Sequence, residues 1–100
     1  MSSSTVERRT ALAKRVEISE DTISVELDDG RTIAAPLGWY PRLATATETE
    51  RSNWRFNGGG NGMHWPDIDE DVSVENLLSG KPSAESQASF KKWLETRAKV

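Results

Sequence analysis

The sequence predicts a small α+β fold: an antiparallel meander of three N-terminal strands plus a later strand pair, with short helices and a C-terminal helix. Apolar residues alternate with polar ones between residues 16 and 35, which is typical of strands with one buried face. Helix-capping residues recur further along, and a chain of 100 residues suits one core better than two. We expect a flexible tail at residues 1–12, a single α+β domain at 13–80 and a helical extension packed on it at 81–100.

Three strands are predicted in the first third of the chain. Val16 and Ile18 alternate with charged residues, and a tight turn follows at residues 20–21. Residues 28–30, Asp-Asp-Gly, favour a second hairpin turn because they tolerate positive φ. The third strand runs to Pro36, which limits the ladder. The side chains expected on the shared buried face are Val16, Ile18, Ile23, Val25, Leu27, Ile33 and Ala35.

Short helices are expected in the middle of the chain. Residues 37–44 carry two aromatics and two prolines and are predicted to form a short helix or turn. Thr47 and Glu50 have the spacing of a capping box, in which each side chain bonds the backbone amide of the other residue. We expect a brief helix from this box to Asn53.

The aromatic residues that follow predict a strand pair. Trp54 and Phe56 lie two apart, as on a strand that faces the core, and residues 63–65 are the expected partner strand. Large aromatic side chains supply much of the buried area of a small domain. Those expected to fill the core are Trp39, Trp54 and Trp65.

A capped helix is predicted after residue 72. Ser73 is a suitable N-cap, the helix runs through Leu78, and Gly80 is placed to end it. Carboxylates just before a helix stabilise its positive N-terminal end. We therefore expect helix entry to be the first role of the preceding acids, Asp69, Glu70 and Asp71.

The last helix is predicted to begin at a Ser83 cap. Phe90, Trp93 and Leu94 repeat at helical spacing and form one apolar stripe, while the basic residues between them stay in solvent. Trp93 is expected to dock on the domain core, with a partner surface as the alternative.

Composition and charge exclude several classes of function. The chain has no cysteine, so disulfides and cysteine-based zinc sites are excluded. It has no apolar run near the ~20 residues that span a bilayer, and its first residues lack the apolar segment of a secretory signal. We expect a cytoplasmic protein without membrane contact. The net charge of −3 argues against broad nucleic-acid binding, although the basic residues concentrate near both ends.

Residues 63–80 hold the only histidine and a run of carboxylates, so metal chemistry must be weighed there. Asp67, Asp69 and Asp71 match the first three ligand positions of a calcium loop. Val72 then stands where glycine is required and Leu78 where a bidentate glutamate is required. We predict no metal and no cofactor.

His64 and the glycines before it allow more than one interpretation. A single histidine beside Trp65 favours a structural role, with contact to a partner and general-base catalysis as alternatives. Residues 58–62 could cradle a phosphate, but no Gly-Lys-Ser/Thr follows. We expect a mobile loop there.

Four blocks of the sequence together resemble a known family. They are LDDGR at 27–31, PLGWYPRL at 36–43, ATETER at 46–51 and HWPDIDEDVSV at 64–74. In this order they are similar to the bacterial and phage family called Domain of Unknown Function 2442. The resemblance implies a small α+β fold and no particular chemistry. It also implies a neighbouring gene for another small protein, as in toxin–antitoxin pairs.

We therefore predict a non-enzymatic protein–protein interaction module, the antitoxin-like or regulatory partner in a bacterial or phage two-gene module. The expected partner is another small, basic protein from a neighbouring gene. The alternatives are a small-ligand or metal-assisted enzyme centred on His64 and the nearby acids, and a nucleic-acid-associated regulator using the basic ends. The residues predicted to form the partner surface are Gly60, Asn61, His64, Trp65, Asp67, Asp69, Glu70, Asp71 and Trp93.

Overall fold

The computed structural model describes residues 11–98 and has the predicted α+β architecture. Two antiparallel sheets of three strands each follow one another along the chain. The strands are β1 (Ala13–Ile18), β2 (Thr22–Leu27), β3 (Thr32–Pro36), β4 (Arg55–Asn57), β5 (Gly62–Trp65) and β6 (Glu70–Ser73). The helices are a 3₁₀ turn (Leu37–Trp39), α1 (Pro41–Ala44), α2 (Glu48–Ser52), α3 (Val74–Ser79) and α4 (Gln87–Ala98).

The predicted N-terminal tail lies outside the described residues except for its last two. Ala11 is buried, and the backbone of Leu12 exchanges hydrogen bonds with Asp28, whose amide donates to the Leu12 carbonyl over 2.8 Å. Residues 11 and 12, which were predicted to be part of the tail, are therefore part of the fold.

The first sheet has the order β1-β2-β3 and the expected buried face. Ile23, Val25 and Leu27 of the central strand have no solvent exposure, and Ala35 of β3 is buried beside them. Val16 and Ile18 of the edge strand β1 pack against this cluster while remaining partly exposed. The alternation of apolar and polar side chains predicted this sheet correctly, because one face of the sheet packs on the protein core and the other faces water.

The second sheet has the order β4-β5-β6, and its third strand is a correction to the predicted strand pair. Residues 70–73 form a strand against β5, with Met63 opposite Val72 and Trp65 opposite Glu70. Aspartate and glutamate are uncommon in strands, so Glu70 and Asp71 did not indicate a strand in the sequence. The acids before Ser73 thus belong to a hairpin that leads directly into α3, and their stabilisation of the helix N-terminus stays a prediction.

The core joins both sheets to the short helices. Trp65 and Met63 of β5 are fully buried together with Leu43 of α1 and Val74 of α3. Trp39 and Trp54 pack on this core but stay partly exposed. Phe56 was expected to face the core, yet 41% of it is exposed, because β4 is an edge strand and its far side has no covering element among the described residues.

The glycine-rich segment is a docked hairpin turn instead of the expected mobile loop. Gly60 is buried, and its carbonyl accepts a 2.8 Å hydrogen bond from the Ala13 amide, which connects the two sheets. Gly60 has φ +120°, and a Cβ there would lie 2.9 Å from the Ala13 carbonyl oxygen. Only glycine fits both the backbone conformation and the close approach.

The predicted helix caps are present, with one shift. Thr47 and Glu50 form the capping box of α2, with bonds of 3.1 and 2.9 Å. Ser73 caps α3, and Gly80 ends it in the left-handed conformation. The last helix begins later than expected, since Ser86 instead of Ser83 accepts the amide hydrogen bond of its first turn. No helix in residues 11–98 has the length and apolarity needed to span a membrane.

Candidate interaction surface

The outer face of the second sheet carries a small polar network around His64. His64 is opposite Asp71 in the β5–β6 ladder and opposite Arg55 in the β4–β5 ladder. Asp71 Oδ1 lies 2.9 Å from His64 Nδ1 and accepts a second bond of 3.1 Å from the Asn57 amide group. Cross-strand pairing brings these residues together, although Asn57 and Asp71, which are bonded to each other, are 14 positions apart in the sequence.

This network orients the histidine but does not complete a catalytic constellation. The His64 side chain is 19% exposed and the Asp71 side chain 62% exposed, so the pair borders solvent. Among the described residues no hydroxyl is bonded to His64, and no group of three histidine or acidic residues could hold a metal ion. The arrangement can donate and accept hydrogen bonds toward a bound surface.

The four carboxylates after His64 separate into exposed and inward-facing groups. Asp67, Asp69 and Asp71 are exposed, and Asp67 accepts a 3.0 Å bond from the Asn53 amide group. Asp69 has φ +50°, the left-handed conformation that aspartate tolerates in turns. Glu70 lies on the core face of β6 and is the exception, so it is removed from the predicted partner surface.

Glu70 is half-buried beside Tyr40. Its Oε1 accepts the amide of Asp71 over 2.9 Å, whereas Oε2 and the Tyr40 hydroxyl are both buried without a hydrogen-bond partner among the described residues. Burial raises the pKa of Glu70, and burial followed by the Glu70 charge raises the pKa of Tyr40. These groups are inside the fold and contribute nothing to an outer surface.

Two further residues of the predicted surface are also interior. Trp65 is fully buried, and its indole N–H donates to the Arg51 carbonyl over 3.0 Å. Gly60 is buried against β1. Asn61 is exposed, and its carbonyl accepts the amide of Val74. Of the predicted partner surface, Asn61 and the three aspartates are exposed and His64 is partly exposed, whereas Trp65, the aromatic residue expected to anchor a partner, lies inside the fold.

A different aromatic residue, Phe56, is exposed on the neighbouring strand, next to the partly buried Trp54. The Trp54 and Phe56 rings meet edge to face at 5.0 Å, and Trp54 also lies 6.4 Å from Trp65. Both rings are predicted to face the core; Trp54 packs on it, whereas Phe56 is exposed. One sequence signal could have indicated that Phe56 is exposed: the strand is short, Phe56 is flanked by the polar residues Arg55 and Asn57, and glycines follow.

The backbone of Phe56 faces away from its sheet. The Asn61 carbonyl accepts a hydrogen bond from the Val74 amide, which fixes the direction of the backbone bonds along β5. Met63 and Trp65 therefore bond β6, whereas Gly62 and His64 bond β4. Arg55 and Asn57, which are opposite His64 and Gly62, therefore direct their backbone amides and carbonyls toward β5. Phe56 lies between them and directs its amide and carbonyl away from the sheet. No described residue pairs with this outer edge.

Trp93 lies on the chain's own domain and is held between cations. The Arg42 and Arg97 guanidinium groups lie 4.9 and 4.5 Å from its ring centroid. Arg42 also bonds Glu85 through two nitrogens, with the closest N–O distance 2.6 Å, and Arg97 bonds Glu50. The Arg42 bonds lower the pKa of Glu85. Trp93 is therefore separate from the His64 network.

These features define a small two-sheet α+β protein with a polar network on the outer face of its second sheet and an exposed aromatic residue, Phe56, at the β4 edge on the opposite face. The chain belongs to the family described as protein of unknown function (DUF2442), whose match covers residues 13–83. The predicted resemblance is thus confirmed, and it extends to β1 beyond the blocks that indicated it.

Solved structures with the same fold are available for comparison. A protein of unknown function from Rhodospirillum rubrum is 26% identical, with a TM-score of 0.64 over 80% of this chain and 96% of that chain. An uncharacterised protein from Chromobacterium violaceum is 22% identical, with a TM-score of 0.66 over 87% and 83% of the two chains. A search of curated proteins gives no match.

Proposed function

We propose that this chain is a non-enzymatic protein-binding module, the antitoxin-like or regulatory member of a two-protein pair. The observation that supports it best is Phe56 on the open edge of β4, which is 41% exposed and meets the ring of the partly buried Trp54 just before that strand. Exposed aromatic residues at a sheet edge are unfavourable in a protein that has no use for them. Aromatic anchors of this kind supply much of the affinity at protein interfaces.

Carboxylates border this aromatic pair. Asp71 accepts from Asn57, the neighbour of Phe56, and Asp67 accepts from Asn53, the neighbour of Trp54. Each bond places an exposed acid beside the aromatic strand. A partner surface with lysine or arginine residues around an apolar depression would complement this arrangement, because charge sets the rate and orientation of approach.

The expected partner is another small protein encoded beside this one. A basic surface on that protein would meet Asp67, Asp69 and Asp71, and an apolar pocket would receive Phe56. The His64–Asp71 pair then acts as a hydrogen-bonding contact, and its role is recognition. Neither catalysis by His64 nor nucleic-acid binding by the basic ends gains support from a particular contact among the described residues.

Substitution of Phe56 tests the proposal. The full chain is co-expressed with the product of the neighbouring gene, and affinity is measured by calorimetry for wild type, Phe56→Ala and Leu78→Ala. Leu78 on α3 is 39% exposed and is the matched control. We expect Phe56→Ala to weaken binding about 30-fold, or about 2 kcal/mol, and Leu78→Ala to leave it unchanged.

Thermal unfolding of the same variants separates binding from folding. Both substitutions remove an exposed side chain, so both should leave the midpoint nearly unchanged. Equal affinity of Phe56→Ala and wild type would contradict the proposed surface. A pair that does not associate at all would contradict the proposed function with this partner.

A further inference from the structure

The outer edge of β1 is an unpaired strand edge. The Ser19 amide bonds the Thr22 carbonyl over 2.9 Å, so alternation along this hairpin turns Glu17 toward β2. Val16 and Ile18 therefore direct their amides and carbonyls away from β2. No described residue bonds these outward groups, and they can accept an added strand.

The opposite edge of the same sheet is less suited to pairing. Leu27 bonds Arg31 across the second turn, so Ala34 and Pro36 direct their backbone outward from β3. Pro36 has no amide hydrogen to donate, and α3 contacts this strand. The first sheet therefore offers one edge, β1, with consecutive outward donors and acceptors.

A cleft of about 400 Å³ lies beside the free edge of β1. One wall is the end of β1, including Val16 and Ile18, and the other is formed by α2 and Trp54. The sheets are joined by the Ala13–Gly60 hydrogen bond at the start of β1, and the cleft lies at the other end of this strand. Its apolar residues can receive alternate side chains of an extended segment.

The charges of the cleft favour a basic occupant. Glu20 and Glu48 line it, and neither carboxylate has a bonding partner among the described residues. The third charged group is Arg51, whose guanidinium already donates to the carbonyls of Leu43 and Ala44 over 3.0 Å. An incoming lysine or arginine would meet two available carboxylates.

We infer that an extended, basic segment of the partner protein adds to β1 as a fourth strand and places apolar side chains in the cleft against Trp54. The inference rests on the proposed function, since it specifies how one segment of the same partner is bound. Main-chain bonds to Val16 and Ile18 would supply register, and Glu20 and Glu48 would select basic side chains.

Hydrogen exchange followed by NMR tests this inference on the wild-type full chain. The probes are a six-residue peptide of alternating lysine and valine, a matched peptide of alternating glutamate and valine, and the neighbouring gene product. At saturation, the lysine peptide and the partner should slow exchange of the Val16 and Ile18 amides about tenfold, with the Ala34 amide unchanged. The glutamate peptide should bind at least tenfold more weakly.

Proline substitution provides a second measurement. Val16→Pro removes one outward donor without removing a bond to β2, and Ala34→Pro does the same on the opposite edge. Val16→Ala keeps the amide and controls for the lost side chain. We expect peptide affinity to fall at least tenfold in Val16→Pro and to change less than threefold in Ala34→Pro, with Val16→Ala between them.

The outcomes distinguish the inference from the proposed function. Partner binding that depends on Phe56 but leaves the Val16 and Ile18 amides unprotected would overturn strand addition and keep the interaction surface. Protection by the peptide without any partner binding would support the strand edge and contradict the proposed partner. Protection in the free protein before any addition would mean that residues 1–10 or a second copy occupy the edge, which overturns the inference.

Discussion

The two sheets and the C-terminal helix are stabilised in different ways. The sheets and short helices share a continuous apolar core, in which Trp65, Met63 and Leu43 are fully buried. By contrast α4 has no buried residue, and Trp93 is only partly covered. The attachment of α4 is largely polar: Arg42 bonds Glu85 just before the helix, Arg97 bonds Glu50, and both guanidinium groups lie against Trp93, whose ring also packs on the core.

This difference indicates that the helix and the sheets respond to different conditions. Apolar burial depends little on ionic strength, whereas partly exposed ion pairs are screened by salt. The side chains of Arg42 and Glu85 are only 16% and 12% exposed, so their pair is stronger than an ordinary surface pair. A helix of 12 residues is marginal in isolation, so α4 depends on these contacts.

The largest expected effect separates two tryptophans. Trp65→Ala should lower the free energy of unfolding by about 3–5 kcal/mol, because it empties a fully buried site and removes the indole bond to Arg51. Trp93→Ala should lower it by about 1 kcal/mol or less, since Trp93 is only partly buried where it packs on the core. Urea denaturation of both variants measures the difference. Equal losses would show that α4 is part of the same core.

The connection between the sheets gives the next effect. Gly60→Ala should destabilise the protein by about 2 kcal/mol, because φ is +120° and the added methyl would meet the Ala13 carbonyl oxygen at 2.9 Å. Gly59→Ala is the control: its φ is +68°, but a Cβ there meets no atom within 4 Å. We expect a loss of about 1 kcal/mol for it. Similar denaturation midpoints for the two variants would argue against tight docking of the turn on β1.

The sequence predicted the elements whose signals are local. Alternation in the first sheet, the Thr47–Glu50 box and the Ser73 cap each depend on residues within a few positions, and each is present. Strand β6 was missed because its strand character depends on pairing with β5, which outweighs the low strand preference of Glu70 and Asp71.

The candidate surface could be predicted only in part, because exposure depends on strand order. His64 and Asp71 were both identified, but their bond follows from cross-strand register, which is not visible along the chain. Trp65 and Phe56 were both assigned to the core, yet one is central and the other is at an edge. The pattern of alternation is the same in both strands, so it cannot distinguish them.

Loss of the strongest ion pair should release α4 with little effect on the sheets. Arg42→Ala removes the bonds to Glu85, the cation beside Trp93 and a 2.9 Å bond to the Ile68 carbonyl. We expect opening of α4 to become easier by about 1–2 kcal/mol, measured as faster amide exchange in α4.

An exposed ion pair serves as the control for Arg42. Arg15 lies 3.4 Å from Glu26 with 68% of its side chain exposed, so Arg15→Ala should leave α4 exchange unchanged. In 1 M salt, amide exchange in α4 of the wild-type protein should also become faster, by less than in Arg42→Ala. If salt and Arg42→Ala accelerate exchange in β2 as much as in α4, the two regions are not held separately.

Acid should loosen the Arg97 end of α4 by a smaller amount. Bonds from the Arg97 guanidinium, then the Thr47 amide, lower the pKa of Glu50 from 4.5 to about 2. A lowered carboxyl pKa stabilises the folded state above the ordinary value, and this stabilisation is lost as the pH falls from 4.5 toward 2. The Trp93 indole resonance should therefore shift in that window while the Trp65 indole stays constant. In Glu50→Gln, the Trp93 indole resonance at neutral pH should already lie closer to the position that it has in the wild-type protein at low pH. It should then change less as the pH is lowered. A Trp93 resonance that is constant to pH 2, or one that moves together with Trp65, would contradict separate attachment of α4.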